Sequence, residues 1–174
     1  MRLLKAFLVG LTGLFIVITL FSLLIPSRVR VSRAVLINNT SQQEVFQQIG
    51  RFNNWPAWHP VFTVDSATMK LQPAGTDGLP SGCIITQRGK EIIINLLAAD
   101  TSSVKFSMQA EGENEIDNDI VISSQPGSSV VQVEWRAITK LRWYPWQKFY
   151  GIFIDQLTGP GYEVALNGLK DHLE

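Results

Sequence analysis

His59 lies in the run Trp55-Pro56-Ala57-Trp58-His59-Pro60 and is the one imidazole in the body of this 174-residue chain, His172 being close to its end. General acid–base work needs such a group with a positioned partner. None is visible in the neighbouring sequence, so His59 reads as a packing or surface residue. Metal ligation is no better supported, since two distant histidines and one cysteine give none of the spacings of a zinc site. Cys83 stands in the strand-like run CIITQ with no second cysteine to pair with, and reads as a small buried hydrophobe rather than a nucleophile.

Carboxylates are more regular. Glu111, Glu113, Glu115, Asp117 and Asp119 occupy alternate positions, which places them in a row along a strand or around a hairpin tip. Oxygen ligands of this kind suit calcium, but charges that keep a sheet edge from pairing with another chain explain the row as well. Arg136 and Arg142 are candidates to meet a polar head group, against the ordinary reading of solvent-facing arginines. The sequence has neither a G-x-S-x-G elbow nor a glycine-rich phosphate loop. No catalytic residue, metal or cofactor is therefore assigned.

The elements that must position these residues follow from periodicity. Val29, Val31, Val35 and Ile37 alternate as in a half-buried strand. Ser41 and Glu44 fit a capping box at the start of a short helix with Val45, Phe46 and Ile49 on one face, ending at Gly50. Phe52 to Pro60 contains two prolines and reads as a rigid aromatic corner. Six further strands are expected at Val61 to Leu71, Cys83 to Arg88, Glu91 to Ala98, Val104 to Ala110, Ile116 to Ser123 and Val130 to Ile138, with turn signals between them. In the last, Val131, Val133, Trp135 and Ala137 share one face while Gln132, Glu134 and Arg136 share the other, so one face of the sheet is apolar. The pattern then becomes helical. Trp146, Phe149, Tyr150, Phe153 and Leu157 make one stripe, Tyr162, Ala165, Leu166, Leu169 and Leu173 a second, and Gly159-Pro160-Gly161 is expected to kink or break the helix between them.

At the front, Ala6 to Ile25 is twenty residues without a charge. At about 1.5 Å per residue they span roughly 30 Å, the hydrocarbon thickness of a bilayer. A cleaved signal peptide has a shorter apolar core of about 7–15 residues and a small-x-small exit, whereas Leu23-Leu24-Ile25-Pro26-Ser27 is bulky. The reading is an uncleaved anchor over residues 1–28, spanning about 6–25, followed by one domain over 29–174. Arg2 and Lys5 on one side nearly balance Arg28, Arg30 and Arg33 on the other; the short basic tail favours a cytoplasmic N-terminus and an extracytoplasmic domain. Residues 1–33 hold five of the fifteen basic residues and none of the fifteen acids, so the rest carries a net charge of about −5. A negative body without a basic stripe argues against nucleic acid as a partner. Trp143, Tyr144, Trp146 and Tyr150 form an aromatic cluster of the kind enriched at membrane interfaces, and also of the kind found at a fold corner.

Two stretches carry a resemblance to a known family. One is the strand, helix and corner with Val45-Phe46, Ile49 and Trp55-Pro56-x-Trp58-x-Pro60; the other is Gly159-Pro160-Gly161-Tyr162-Glu163 with Leu166-x-x-Leu169-Lys170 and Glu174. Together, over Val29 to Glu174, they resemble the SRPBCC family, also described as START-like, Bet v 1-like or polyketide cyclase/dehydrase-like. Pro26-Ser27-Arg28-Val29 is similar to its membrane-anchored bacterial subgroup. The resemblance implies an α+β helix-grip fold, with a seven-stranded antiparallel sheet wrapped around a long C-terminal helix and an apolar cavity between them. Phe106, Val133, Trp135, Phe149, Phe153 and Leu157 are the expected lining. The first functional reading is a membrane-anchored domain that binds a lipid or other hydrophobic small molecule without covalent chemistry. A cyclase, dehydratase or hydrolase acting on a hydrophobic substrate, and an envelope protein-interaction module, are the alternatives.

Overall fold

A computed structural model describes residues 2–63, 67–74, 79–125 and 127–174. The expected turn residues at 75–78 and 126 lie outside the described residues. Helix α1 (Arg2–Ser22) is apolar, exposed along almost its whole length, and the one described helix long and apolar enough to cross a membrane. The chain enters β1 (Arg28–Asn38) five residues after α1 ends at Ser22. Helix α2 (Gln42–Gly50) begins with the expected capping box: Ser41 Oγ accepts from the Glu44 N–H and the Glu44 carboxylate accepts from the Ser41 N–H. Those bonds hold the Glu44 carboxyl below its usual range.

The aromatic corner is a 3-10 turn over Phe52–Ala57 followed by the short helix α3 (Pro60–Thr63). The sequence predicts a strand over 61–71; Val61 to Thr63 belong instead to α3, residues 64–66 lie outside the described residues, and β2 covers Thr68–Leu71. Pro60 accounts for the difference, since it supplies a fixed φ suited to the first turn of a helix. Then follow β3 (Gly82–Gln87), β4 (Lys90–Asp100), β5 (Ser103–Ala110), β6 (Ile116–Ser124) and β7 (Val130–Lys140). Together with β1 and β2 they make one antiparallel sheet in the order β1-β7-β6-β5-β4-β3-β2, so the first strand closes on the last. A register shift between Leu96 and Ala98 puts an extra residue in β4 against β5. Such bulges bend a sheet and increase its twist.

The last two elements are α4 (Pro145–Gly151) and α5 (Ile154–Leu173). The helix runs unbroken through Gly159-Pro160-Gly161, and the interruption falls earlier, at Ile152 and Phe153. α5 lies along β1 and is tied to it by Arg33, whose guanidinium bonds Asp155 at 2.9 Å and Glu163 at 2.6 Å. These carboxylates are two helical turns apart, and the guanidinium crosses α5 between them at Gly159. A Cβ there would stand 2.2 Å from Arg33 Nη2. The glycine, which looks like a helix breaker, is the slot through which the clamp passes. The chain thus has the α+β helix-grip architecture, with its main core between α2, α5 and the concave face of the sheet.

Candidate ligand cavity

The floor of the site is built from the loose end of α2. The last carbonyls of a helix have no partner within it, and here no glycine turns back to satisfy them, because Arg51 is extended. Three successive carbonyls are capped from the corner instead: Asn54 Nδ2 donates to Gln47 O at 2.8 Å, Trp58 Nε1 to Gln48 O at 3.3 Å, and Trp55 Nε1 to Ile49 O at 2.9 Å. This explains why the segment needs two tryptophans three residues apart. Trp55 is buried and meets Phe52 and Phe106 edge-on, while the imidazole of His59 stacks on it at 5.2 Å and 5°.

Between this corner, the sheet and α5 lies a cavity of about 530 Å³, inside the roughly 300–1,000 Å³ range of small-molecule sites. Ile85, Ile92, Ile94, Phe106 and Met108 face it from the strands, with Trp135 between them and the helix. Pro60 and Val61 border it on one side, Pro160, Gly161 and Val164 on the other. Thr158, Tyr162 and His59 are the polar side chains of the wall, and the Thr158 hydroxyl already donates to Ile154 O.

Desolvation sets the state of the other two. His59 Nδ1 accepts from the Val61 N–H at 3.3 Å, which leaves its proton on Nε2, and burial pulls its pKa down to about 4. Burial pushes the Tyr162 hydroxyl up to about 12. Near neutrality the wall therefore presents an uncharged imidazole and an uncharged phenol, both able to donate a hydrogen bond. The Cys83 thiol is likewise pushed up to about 12 and stays a thiol, as its reading as a small hydrophobe requires.

Trp135 is held by its indole N–H, which donates to Asn118 Oδ1 at 2.9 Å inside the sheet, while Asn118 Nδ2 donates to Ile116 O. Replacing Asn118 by leucine leaves that buried N–H without a partner, at a cost of about 1–3 kcal/mol. Urea unfolding should show this as a lower midpoint at unchanged slope. An unchanged midpoint would mean that the bond does not fix the indole.

Of the six lining candidates, the structure brings Phe106 and Trp135 together on the cavity wall. Val133 is fully buried in the core between the same layers, outside the lining. Phe149, Phe153 and Leu157 are exposed, and none of them borders the cavity. The break at Ile152 and Phe153 separates the stripe containing Phe149 from α5, and within α5 the inward stripe is one residue later, at Ile154, Thr158, Tyr162, Ala165 and Leu169. One residue is about 100° of helix rotation, enough to turn Phe153 and Leu157 outward. The structure adds Trp55, His59 and Tyr162 to the wall. The signals were present, in the density of the corner and in the phase of Tyr162 with Ala165 and Leu169.

The acidic row divides as its surroundings dictate. Asp117 pairs with Lys140 at 2.8 Å and Asp119 stands in register with Arg136, whereas Glu111, Glu113 and Glu115 are exposed. Among the described residues no group of three His, Cys, Asp or Glu side chains is placed to hold a metal. Arg136 lies on the wet face of the sheet, where with Ser32 it holds the Glu134 carboxyl down to about 2, Arg136 contributing most; Arg142 is exposed.

No family model matches the sequence, and no curated protein matches it. Solved structures do share the fold. A START superfamily protein from Mycobacterium smegmatis superposes with a TM-score of 0.67 at 16% identity, over 83% of this chain and 97% of that one. The protein XoxI from Bacillus cereus gives 0.59 at 20% identity, over 83% and 95%. DynU16, from the dynemicin biosynthetic locus, gives 0.57 at 14% identity, over 85% of this chain and 47% of that one. At these identities the likeness establishes the START-like helix-grip fold.

Proposed function

We propose that this chain is a membrane-anchored domain that holds a lipid or other hydrophobic small molecule, non-covalently, in the cavity between the sheet and α5. The observation that carries the reading is the wall itself: a cavity of about 530 Å³ lined by aliphatic and aromatic side chains, with His59 and Tyr162 as its uncharged donors. An apolar body with one oxygen acceptor fits such a wall, since the body is driven in by burial and the acceptor fixes its direction. Charged head groups fit poorly there. The 21-residue apolar helix α1 serves as the anchor in this reading, as in the membrane-anchored SRPBCC subgroup, with the domain extracytoplasmic.

Native mass spectrometry of the intact chain extracted in mild detergent tests it. The expected result is a co-purifying hydrophobic molecule retained by the native chain and lost from Ala165→Phe, which pushes a ring into the cavity from the buried inner face of α5. The Ala165→Phe protein should keep its far-ultraviolet circular dichroism. A native chain that carries no molecule, and takes up none when offered lipid extract, overturns the reading.

A further inference from the structure

Helix α4 is inside out. A surface helix normally turns its apolar stripe inward and its charges outward, but α4 buries Pro145, Lys148 and Gly151 and exposes Trp146, Phe149 and Tyr150. Lys148 is only 3% exposed, while Trp143 and Trp146 are each 63% exposed. Tyr144 bridges the two indoles, 4.9 Å from Trp143 and stacked on Trp146 at 5.1 Å and 5°. Ile152, Phe153 and Leu157 continue the exposed apolar surface into α5. Contiguous patches of this kind mark an interaction site.

Its place relative to α1 identifies the occupant. The buried Lys148 ammonium donates to Ile25 O at 2.9 Å and to Ser27 Oγ, the two residues on either side of Pro26 where the chain leaves the apolar helix. α4 packs against α1, whose last residue, Ser22, is fully buried. The aromatic shelf is therefore held level with the end of the membrane-length helix. Trp and Tyr concentrate at that level, where hydrocarbon meets head groups.

The same surface leads to the cavity. Phe153, Leu157, Pro160, Gly161 and Val164 recur at helical spacing along one side of α5, and Val164, 55% exposed, is itself part of the cavity wall. From Phe153 to Val164 the helix rises roughly 16 Å. An apolar stripe thus joins the shelf to the mouth of the cavity.

We propose that the exposed face of α4 and the first turns of α5 docks on the lipid bilayer that α1 enters, a second membrane contact that lays the cavity mouth beside the lipid. The inference rests on the anchor reading above.

The test uses the full chain with vesicles of phosphatidylcholine and phosphatidylglycerol, with and without brominated acyl chains, which quench indoles that touch them. Trp55 and Trp135 line the cavity and Trp58 is buried outside it, so emission lost from W143F/W146F reads bromolipid that enters the cavity, and the shelf is read as the quenching present in the native chain and missing from that variant. Brominated vesicles should remove emission from the native chain, and W143F/W146F, altered only at exposed positions, should lose the shelf's share of that quenching while still floating with the vesicles. If the native chain floats but its exposed tryptophans are quenched by aqueous iodide and not by brominated lipid, docking is overturned and anchoring stands. Shielding from both quenchers puts protein on the shelf and also overturns docking. Failure to float overturns anchoring and docking together.

Discussion

Replacing Trp55 by alanine is expected to lower the stability of the domain by about 3–5 kcal/mol, a large share of the roughly 5–15 kcal/mol typical of a whole domain. Two losses combine. The indole is buried against Phe52 and Phe106, so truncation opens a void under the cavity. Its N–H is also the partner of Ile49 O at the open end of α2. Trp55→Phe separates the terms, because it keeps most of the ring volume and loses the donor; about 1–3 kcal/mol is expected for that carbonyl. Chemical denaturation of the two variants side by side reads both. Trp55→Ala with a midpoint close to that of the native chain would falsify the role given to the corner.

Because Trp55 also borders the cavity, the same substitution joins a core void to that cavity. Under the proposed binding function the corner limits how large a molecule the cavity accepts, so one indole serves both stability and specificity. Binding sites commonly rest on such residues, since a wall positions a ligand only as well as it is itself packed.

The sequence makes the frame visible and the inner wall only in part. All seven strands are legible, β1 and β7 from the alternation of apolar and polar residues and the others as short strand-like runs between turn signals, and the capping box of Ser41 and Glu44 marks the start of α2. Val61 and Phe62 look like strand residues, but Pro60 starts a helical turn there, so β2 is shorter than the pattern predicts. In the C-terminal helix the second stripe, Tyr162, Ala165, Leu166, Leu169 and Leu173, packs against the core as its spacing predicts, whereas the first stripe is exposed. Trp146, Phe149, Tyr150, Phe153 and Leu157 have core spacing, and periodicity reports that a stripe is apolar without saying what it faces. The tertiary clues were of a kind no local pattern contains: Arg33 threading past Gly159, and Lys148 turned inward to the chain leaving α1. An aromatic stripe that faces lipid satisfies the same spacing as one that faces a core.

The second large effect is on pH. His59 is held neutral by the fold, its pKa drawn down to about 4 from an ordinary 6.5 by desolvation against Trp55, Trp135 and the cavity. The unfolded chain therefore binds this proton first. The stabilising contribution is complete above about pH 6.5, declines as the pH falls from 6.5 towards 4, and levels off below, for a total of up to about 3 kcal/mol. The carboxylates held below their usual range act lower: Glu134, kept down to about 2, loses its contribution only as the pH falls below about 4.5. Unfolding midpoints between pH 6.5 and 4.5 thus isolate the imidazole. His59→Phe keeps a ring against Trp55 and removes the titration, so its midpoint should be nearly flat where that of the native chain falls; parallel curves would show that the imidazole is not held neutral. Tyr162, the other titratable group of the wall, remains protonated throughout this window, since burial pushes it up to about 12. A ligand that covers His59 removes its last solvation and prefers the neutral ring more strongly still, so by linkage affinity and stability should fall together on acidification.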